Sequence, residues 1–240
     1  MTTLHRDTLF APLDHDLHLA RLAGGNETEV YTTDDSRYVV KVKSEQGGDL
    51  AQAIQTLVRA RRSARKFARI IGRQHSIPSY YLISRGEDGQ VKPVVLQPFL
   101  GEGQSLFAVD YTSFGYRQRL RIAKQLFHLI YRSATAFLHG GVMPDLYGRA
   151  SSDVADRRLQ RSWRRLPHRL WSFVVKRNLL RAHNLMLIHP HKPRILLVDY
   201  DAVPHGKLYQ LVYYHVRLVL FIRDMALIWL MLLSGFVPSA

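Results

Sequence analysis

The order of strand-like and helix-like segments constrains the fold of this chain more than any single residue does. Short runs rich in apolar, Thr and Tyr residues predict strands at residues 19–23, 28–33, 38–43, 80–84, 91–99, 185–189 and 194–199. Apolar residues at helical spacing predict helices at residues 50–71, about 116–138 and about 208–234. The order β-β-β-α-β-β, helix, β-hairpin, helix predicts a two-lobed α+β protein.

Each predicted helix has an apolar face that identifies candidate core residues. In the first helix this face comprises Leu50, Ile54, Leu57, Ala60, Ala64, Phe67 and Ile71. In the second helix it comprises Ile122, Leu126, Leu129, Ile130, Ala134, Phe137 and Leu138. Gly140-Gly141 follows the second helix and predicts a C-cap, because glycine adopts the left-handed conformation that ends many helices.

Charge and cysteine content narrow the function classes. The 240 residues carry 34 Lys and Arg against 19 Asp and Glu, a formal net charge of +15, and no Cys. The charge predicts an anionic partner, which could be nucleic acid, a phosphorylated ligand or an acidic lipid surface. The lack of Cys excludes disulfides, thiolate zinc sites and a Cys nucleophile. The 12 His residues are scattered without zinc-ligand spacing, and we expect them at the surface.

No segment of the sequence predicts a membrane span or a secretory signal. Residues 1–19 contain no apolar run of the signal-peptide type, and a cytoplasmic location is expected. The most apolar stretch, residues 211–233, contains His215, Arg217, Arg223 and Asp224. Since a spanning helix needs about 20 mostly apolar residues, a buried C-terminal helix is expected, with a helix lying peripherally on a membrane surface as the alternative.

Two motifs in the first half of the chain suit a phosphate ligand. Gly24-Gly25 lies between two predicted strands, where a glycine turn lets backbone N–H groups approach a phosphate. A plain hairpin turn is the alternative. Lys41 lies within an apolar strand, where a bound phosphate would explain the charge, and an exposed edge-strand lysine is the alternative.

Three polar residues in the second half suit catalysis and metal binding. Asp145 follows the glycine pair and Pro144, and its carboxylate could orient and deprotonate a hydroxyl or serve only as a turn residue. Asn184 precedes one strand of the predicted hairpin, and Asp199 ends the other. Their side chains offer hard oxygen ligands of the kind that Mg²⁺ prefers. An ordinary hairpin with an Asp cap is the alternative.

In this order the motifs resemble those of the protein-kinase-like superfamily over roughly residues 18–205. The most specific part is Asn184-Leu-Met-Leu, a turn, four apolar residues and Asp199-Tyr200-Asp201, which resembles the metal hairpin of that family. The resemblance extends to the atypical bacterial YrbL-like and lipopolysaccharide-kinase-like branches. It implies a two-lobed kinase-like fold with an N-lobe at residues 1–100 and a minimal C-lobe at residues 101–240.

The resemblance also implies ATP and Mg²⁺ as cofactors and assigns a role to each motif. Lys41 would hold the α- and β-phosphates, Asn184 and Asp199 the Mg²⁺, and Asp145 would act as the catalytic base. The glycine pair would correspond to the phosphate-binding loop, of which only Gly25 keeps a family glycine. The hinge that meets adenine is expected near Gln97-Pro98-Phe99-Leu100.

Two departures from the family pattern keep alternatives open. The first helix offers no Glu partner for Lys41. Asp145 and Asn184 are 39 residues apart instead of five, which requires an insertion of about 34 residues. Residues 149–181 have about that length and contain ten Lys and Arg against two Asp. We therefore expect a basic helical insertion at about 150–182 that recognises an anionic acceptor or a membrane surface, with a solvated basic face as the alternative.

The favoured function is therefore an atypical kinase-like, ATP-dependent phosphotransferase that acts on a hydroxyl of a small molecule, sugar, lipid or protein. The alternative is a pseudokinase-type binding or regulatory protein. A basic nucleic-acid-binding module ranks lower.

Overall fold

A computed structural model describes residues 20–24, 28–33, 36–43, 49–85, 91–148, 178–200 and 207–237. Gly25, Asp201 and most of the predicted insertion lie outside these residues. The fold is mixed α+β with antiparallel sheets, as the order of segments predicts. Contacts divide the chain into two compact units, Met1–Arg61 with Pro78–Gly101 and Arg62–Ile77 with Glu102–Ala240.

The first unit is built on a five-stranded antiparallel sheet. Its strands are β1 (Ala20–Gly24), β2 (Thr28–Thr32), β3 (Tyr38–Lys43), β4 (Tyr80–Arg85) and β5 (Val91–Pro98), in the order β1-β2-β3-β5-β4. Val40, Val94 and Leu96 form a buried cluster on β3 and β5. Because β3 lies at the centre of the sheet, Lys41 is not on an edge strand, and the edge-strand alternative is wrong.

Helix α1 (Leu50–Ile71) has the predicted bounds, but its buried stripe differs at the start. Asp49 caps the helix, since its Oδ1 accepts a hydrogen bond of 2.7 Å from the backbone N–H of Gln52. Leu50 and Ile54, predicted in the core, are 48% and 45% exposed, whereas Ala53 is buried. Ala53 lies four residues before Leu57 and therefore continues the buried stripe of the helix. Ile54 lies about 100° further round the helix, outside this stripe. Leu50 is the first residue of the helix.

The second unit contains a small sheet and two long helices. The sheet has the order β6-β7-β8, with β6 (Gln104–Ser105), β7 (Leu185–Ile188) and β8 (Arg194–Leu197) all antiparallel. The helices are α2 (Tyr116–Gly140) and α3 (Lys207–Ser234). Short 3₁₀ turns span Arg73–His75, Leu106–Ala108, Tyr111–Ser113 and Leu179–Arg181. The predicted hairpin at residues 185–199 is confirmed, whereas β6 was not predicted.

Helix α2 ends as the glycine pair predicts. Gly141 has a φ of +66°, and its N–H donates a hydrogen bond of 2.7 Å to the carbonyl of Phe137. The predicted apolar face is correct except at Leu138, which is 71% exposed. Leu138 follows the buried Phe137 and therefore lies about 100° round the helix from it.

Helix α3 packs antiparallel to α2 and is buried on one face only. The ring centroids of Phe137 and Tyr214 are 5.4 Å apart, and those of Phe127 and Trp229 are 5.8 Å apart. The expectation of a buried C-terminal helix is therefore wrong for the opposite face, where Val219 and Ile222 are 66% and 67% exposed. Among the described residues, no helix combines the length and apolar character required to cross a bilayer.

One histidine contradicts the expectation that all lie at the surface. His75 is 2% exposed, and its Nδ1 is 2.9 Å from the carbonyl oxygen of Ile195. Burial lowers the pKa of the His75 imidazole, and the positive charges nearby add to this effect. The imidazole is thus neutral and works as a hydrogen-bonding core residue.

Candidate functional site

The loop after α2 holds Asp145 between buried anchors. Met143 and Leu146 are 2% and 1% exposed, while Asp145 between them is half-buried. The backbone N–H of Tyr147 donates a hydrogen bond of 3.1 Å to Oδ1 of Asp145, which closes a turn of the Asx type. The turn role considered for Asp145 is therefore present, and it fixes the direction of the carboxylate.

Hydrogen bonds join this loop to the β7–β8 hairpin across 39 residues of sequence. The Asn184 amide Nδ2 donates to the carbonyl oxygen of Asp145 over 2.9 Å. The carbonyl of Asn184 accepts a hydrogen bond of 3.0 Å from the N–H of Val198, the residue before Asp199. The N–H of His183 donates to the carbonyl of Tyr147 over 2.8 Å. The second unit thus brings Asp145 and Asn184 into contact and places Asp199 next to the residue that Asn184 binds.

Gly148 allows this close approach of the loop to the hairpin. It is buried and has a φ of +69°, which glycine adopts far more readily than residues with a Cβ. A Cβ at this position would collide with Oδ1 and Cγ of Asn184 and would lie 2.9 Å from its backbone nitrogen. A side chain at residue 148 would therefore displace the amide that binds Asp145.

Helix α3 contributes a buried cation and a tyrosine to the surroundings of Asp145. Arg217 is 2% exposed, and its guanidinium carbon lies 3.8 Å from the ring centroid of Tyr147 and 4.9 Å from that of Tyr213. The Tyr213 hydroxyl hydrogen-bonds with the Asp145 carboxylate. Burial, followed by the charge of Asp145, raises the Tyr213 pKa, so the hydroxyl remains protonated and donates. Burial acts to lower the Arg217 pKa, but Tyr213 and Asp145 outweigh it and raise that pKa above its ordinary value.

A second buried carboxylate secures the loop to α3. Asp224 is 1% exposed and accepts hydrogen bonds of 2.5 Å from the Tyr147 hydroxyl and 3.2 Å from the N–H of Leu179. Arg223 pairs with its other oxygen at 2.7 Å. Burial raises the Asp224 pKa despite the opposing effect of Arg223. Asp224 therefore ties the Asp145 loop and the chain that precedes β7 to one helix.

The first unit holds the other predicted site residues. Lys41 is half-buried on β3 and lies opposite Val30 of β2 and Val95 of β5. Gly24 is the last residue of β1. Gln97 is 3% exposed and donates to Ser79 Oγ over 2.9 Å. The N–H of Phe99 donates to the carbonyl of Arg37 over 2.8 Å. The Gln97 side chain and the Phe99 N–H are thus already engaged within the first unit.

Sequence reasoning missed Tyr213, Arg217, Asp224 and Gly148. A signal for three of them was present, because positions 213, 217 and 224 share one side of a helix. Arg217 and Asp224 were interpreted as interruptions of an apolar stretch, but charged residues on the buried side of such a helix indicate paired polar groups. No comparable signal marked Gly148.

The predicted metal pair offers one carboxylate and one carboxamide oxygen. Within the described ranges, no group of three or more His, Asp or Glu side chains is able to hold a metal ion. Asn184 and Asp199 nevertheless fit Mg²⁺, which is commonly held by one or two carboxylates together with water and phosphate oxygens. The hydrogen bond from Nδ2 to Asp145 leaves Oδ1 as the oxygen that Asn184 would offer.

Neither the scan against protein-family models nor the search of the curated proteins finds a match to this chain.

Proposed function

We propose that this chain is an atypical kinase-like phosphotransferase, with a two-lobed kinase-like fold, that transfers the γ-phosphoryl group of ATP to a hydroxyl acceptor. One observation carries the proposal: hydrogen bonds connect the Asp145 loop with Asn184 and with the residue before Asp199. A proton acceptor and two hard oxygen ligands in one neighbourhood are the groups that phosphoryl transfer requires.

Each residue has a defined task in this reaction. Asp145 orients the acceptor hydroxyl and takes its proton as the new O–P bond forms and the bond to the leaving ADP oxygen breaks. Tyr213 and Arg217 hold the carboxylate in place. Mg²⁺, held by Asn184 and Asp199, would supply charge neutralisation at the phosphates. Lys41 is assigned to the α- and β-phosphates by the resemblance.

A nucleotide-binding regulator without catalysis is the second candidate. The Asp145 carboxylate already interacts with the Tyr147 N–H, Tyr213 and Arg217, so it is engaged in holding the loop against α3. Helix α1 contains no acidic residue to pair with Lys41. This candidate binds ATP without transferring phosphate.

Thermal unfolding with Mg·ATP tests nucleotide binding. A nucleotide at 100 times its dissociation constant stabilises the folded state by about 2.7 kcal/mol, which raises Tm by roughly 5–10 °C in a protein of this size. We expect this shift in the wild type, a smaller shift in Asp199→Asn and in Lys41→Met, and the full shift in the control Lys92→Met, whose exposed lysine lies on β5. An absent shift in the wild type would refute the proposal.

Release of ADP from Mg·ATP separates the two candidates. A phosphotransferase shows slow ATP turnover even with water as acceptor, and Asp145→Asn reduces it by about 10²-fold or more. Normal ATP binding with no turnover in the wild type supports the regulator instead. Turnover that survives Asp145→Asn excludes Asp145 as the proton acceptor.

A further inference from the structure

The outer face of α3 is mainly apolar and exposed, with the exposed His215 as a polar residue among its apolar side chains. Most surface helices present polar side chains to water, whereas a helix that is apolar all round is normally covered. The exposed large apolar residues of α3 are Leu211, Val212, Val219, Ile222, Met225, Trp229, Leu230 and Leu233. Five of them are more than half exposed, namely Val212, Val219, Ile222, Trp229 and Leu233. A contiguous exposed apolar patch marks a protein or membrane interaction site.

The neighbouring side of α2 extends this surface. Phe127 contacts Trp229, so the line of residues that includes Lys124, Phe127, Tyr131 and Leu138 adjoins the outer face of α3. Tyr131 and Leu138 are 69% and 71% exposed. The two helices thus form one apolar surface, which we call the α2–α3 face, made of the eight exposed α3 residues with Tyr131 and Leu138.

The charged side chains that α2 itself places beside the α2–α3 face are cationic. Arg117 and Lys124 are exposed and lie seven residues apart on the line that adjoins α3. The sequences of α2 and α3 contain a single acidic residue, Asp224, which is 1% exposed and paired with Arg223. An apolar surface bordered by cations and aromatic rings matches an interface with anionic lipid. Trp and Tyr are the side chains that favour the boundary between headgroups and acyl chains.

We propose that the α2–α3 face docks the protein peripherally on an anionic phospholipid bilayer, with the outer residues of α3 inserted at the headgroup boundary. A second copy of the chain fits less well. A two-fold dimer places the same patch on both partners, so the cations of one α2 would meet apolar or cationic groups of the other, with no acidic residue on the patch to neutralise them.

Vesicle flotation with designed variants tests this docking. The wild type is expected to float with vesicles of phosphatidylcholine mixed with phosphatidylglycerol, and to bind more weakly to pure phosphatidylcholine and at high salt. The variant Val219→Gln/Ile222→Gln/Leu233→Gln changes side chains that are 66%, 67% and 69% exposed, so the fold should tolerate it. Its vesicle affinity should fall by about 1,000-fold, since each of the three inserted apolar side chains contributes roughly tenfold.

The control variant Ile54→Gln/Val58→Gln changes exposed apolar residues of α1 and should bind like the wild type. Lys124→Glu should weaken binding to the anionic vesicles by about fivefold or more. In a Trp163→Phe/Trp171→Phe background, Trp229 is the remaining tryptophan of the three, and its emission should shift to the blue when anionic vesicles are added.

Three results would overturn the proposal. The first is failure of the wild type to bind anionic vesicles. The second is undiminished binding by the triple α3 variant, which would show that another surface carries it. The third is a wild-type dimer in lipid-free solution that the triple variant converts to a monomer, which would identify a second copy as the occupant of the α2–α3 face.

Discussion

Gly148→Ala should disturb the candidate site through its contact with Asn184, and Gly141→Ala is a matched control. Both glycines have left-handed backbones, with φ of +69° and +66°. A Cβ at Gly141 would meet no atom within 4 Å, whereas one at Gly148 would collide with the Asn184 amide. The two variants therefore share the backbone strain and differ in the collision.

The expected losses of unfolding free energy follow from these two terms. Left-handed strain alone costs about 1 kcal/mol, which is the loss expected for Gly141→Ala. Gly148→Ala adds the displacement of Asn184 and the loss of its 2.9 Å hydrogen bond to Asp145, for a total of about 2–4 kcal/mol. Urea denaturation resolves the difference between the variants.

A double variant separates the collision from other causes. Asn184→Ala removes the amide atoms that a new Cβ at residue 148 would strike, so Gly148→Ala/Asn184→Ala should cost about 1 kcal/mol less than the sum of the single changes. Equal losses for the two glycine variants, or additive losses in the double variant, would contradict the role assigned to Gly148.

Three further predictions concern buried polar groups. Tyr147→Phe should lower the free energy of unfolding by about 1.5–3 kcal/mol, because it removes the 2.5 Å hydrogen bond to the Asp224 carboxylate. In an Asp224→Asn background, Tyr147→Phe should cost at least 1 kcal/mol less. Urea denaturation of the four proteins of this double-mutant cycle measures the difference. Arg217→Lys should lower the free energy of unfolding by about 1–2 kcal/mol, because an ammonium does not reproduce the contact of the guanidinium with the Tyr147 ring. An unchanged urea midpoint would contradict this prediction. The His75 pKa is lower in the folded state than the ordinary 6.5, so the unfolded state binds the proton first, and stability should fall as pH drops from about 6.5 through the folded-state pKa. His75→Asn should remove this part of the pH dependence of the urea midpoint, and a pH profile identical to the wild type would exclude His75 as its source.

Element types and most boundaries were predictable because their signals are local. The bounds of α1 were predicted to the residue, since its pattern repeats over several turns. Strand β6 was missed because Gln104–Ser105 is too short to show any period. Leu50 and Leu138 were misassigned because helical spacing identifies a stripe, while the packing partners decide where the buried part ends.

Residue patterns alone predicted the candidate site only as separate pieces, and the family resemblance implied that the pieces belong to one site. Asp145, Asn184 and Asp199 each stood out by chain position, but the hydrogen bond between the first two spans 39 residues that carry no signal of the pairing. The surroundings of Asp145 were not predicted at all, because Tyr213 and Arg217 lie on a helix nearly 70 residues further along the chain. Their role depends on how α3 packs against α2.

The sequence by itself determined the order and type of the elements, the glycine cap that ends α2 and the residues able to carry chemistry. Periodicity and turn chemistry act over a few residues, so they can be identified without knowledge of distant segments. Only the tertiary structure decided that Gly148 lies against Asn184, that Arg217 and Asp224 are buried, and that an apolar face of α3 remains exposed. Burial and pairing are properties of contacts between segments far apart in the chain, and the same apolar sequence can lie in a core or on a surface.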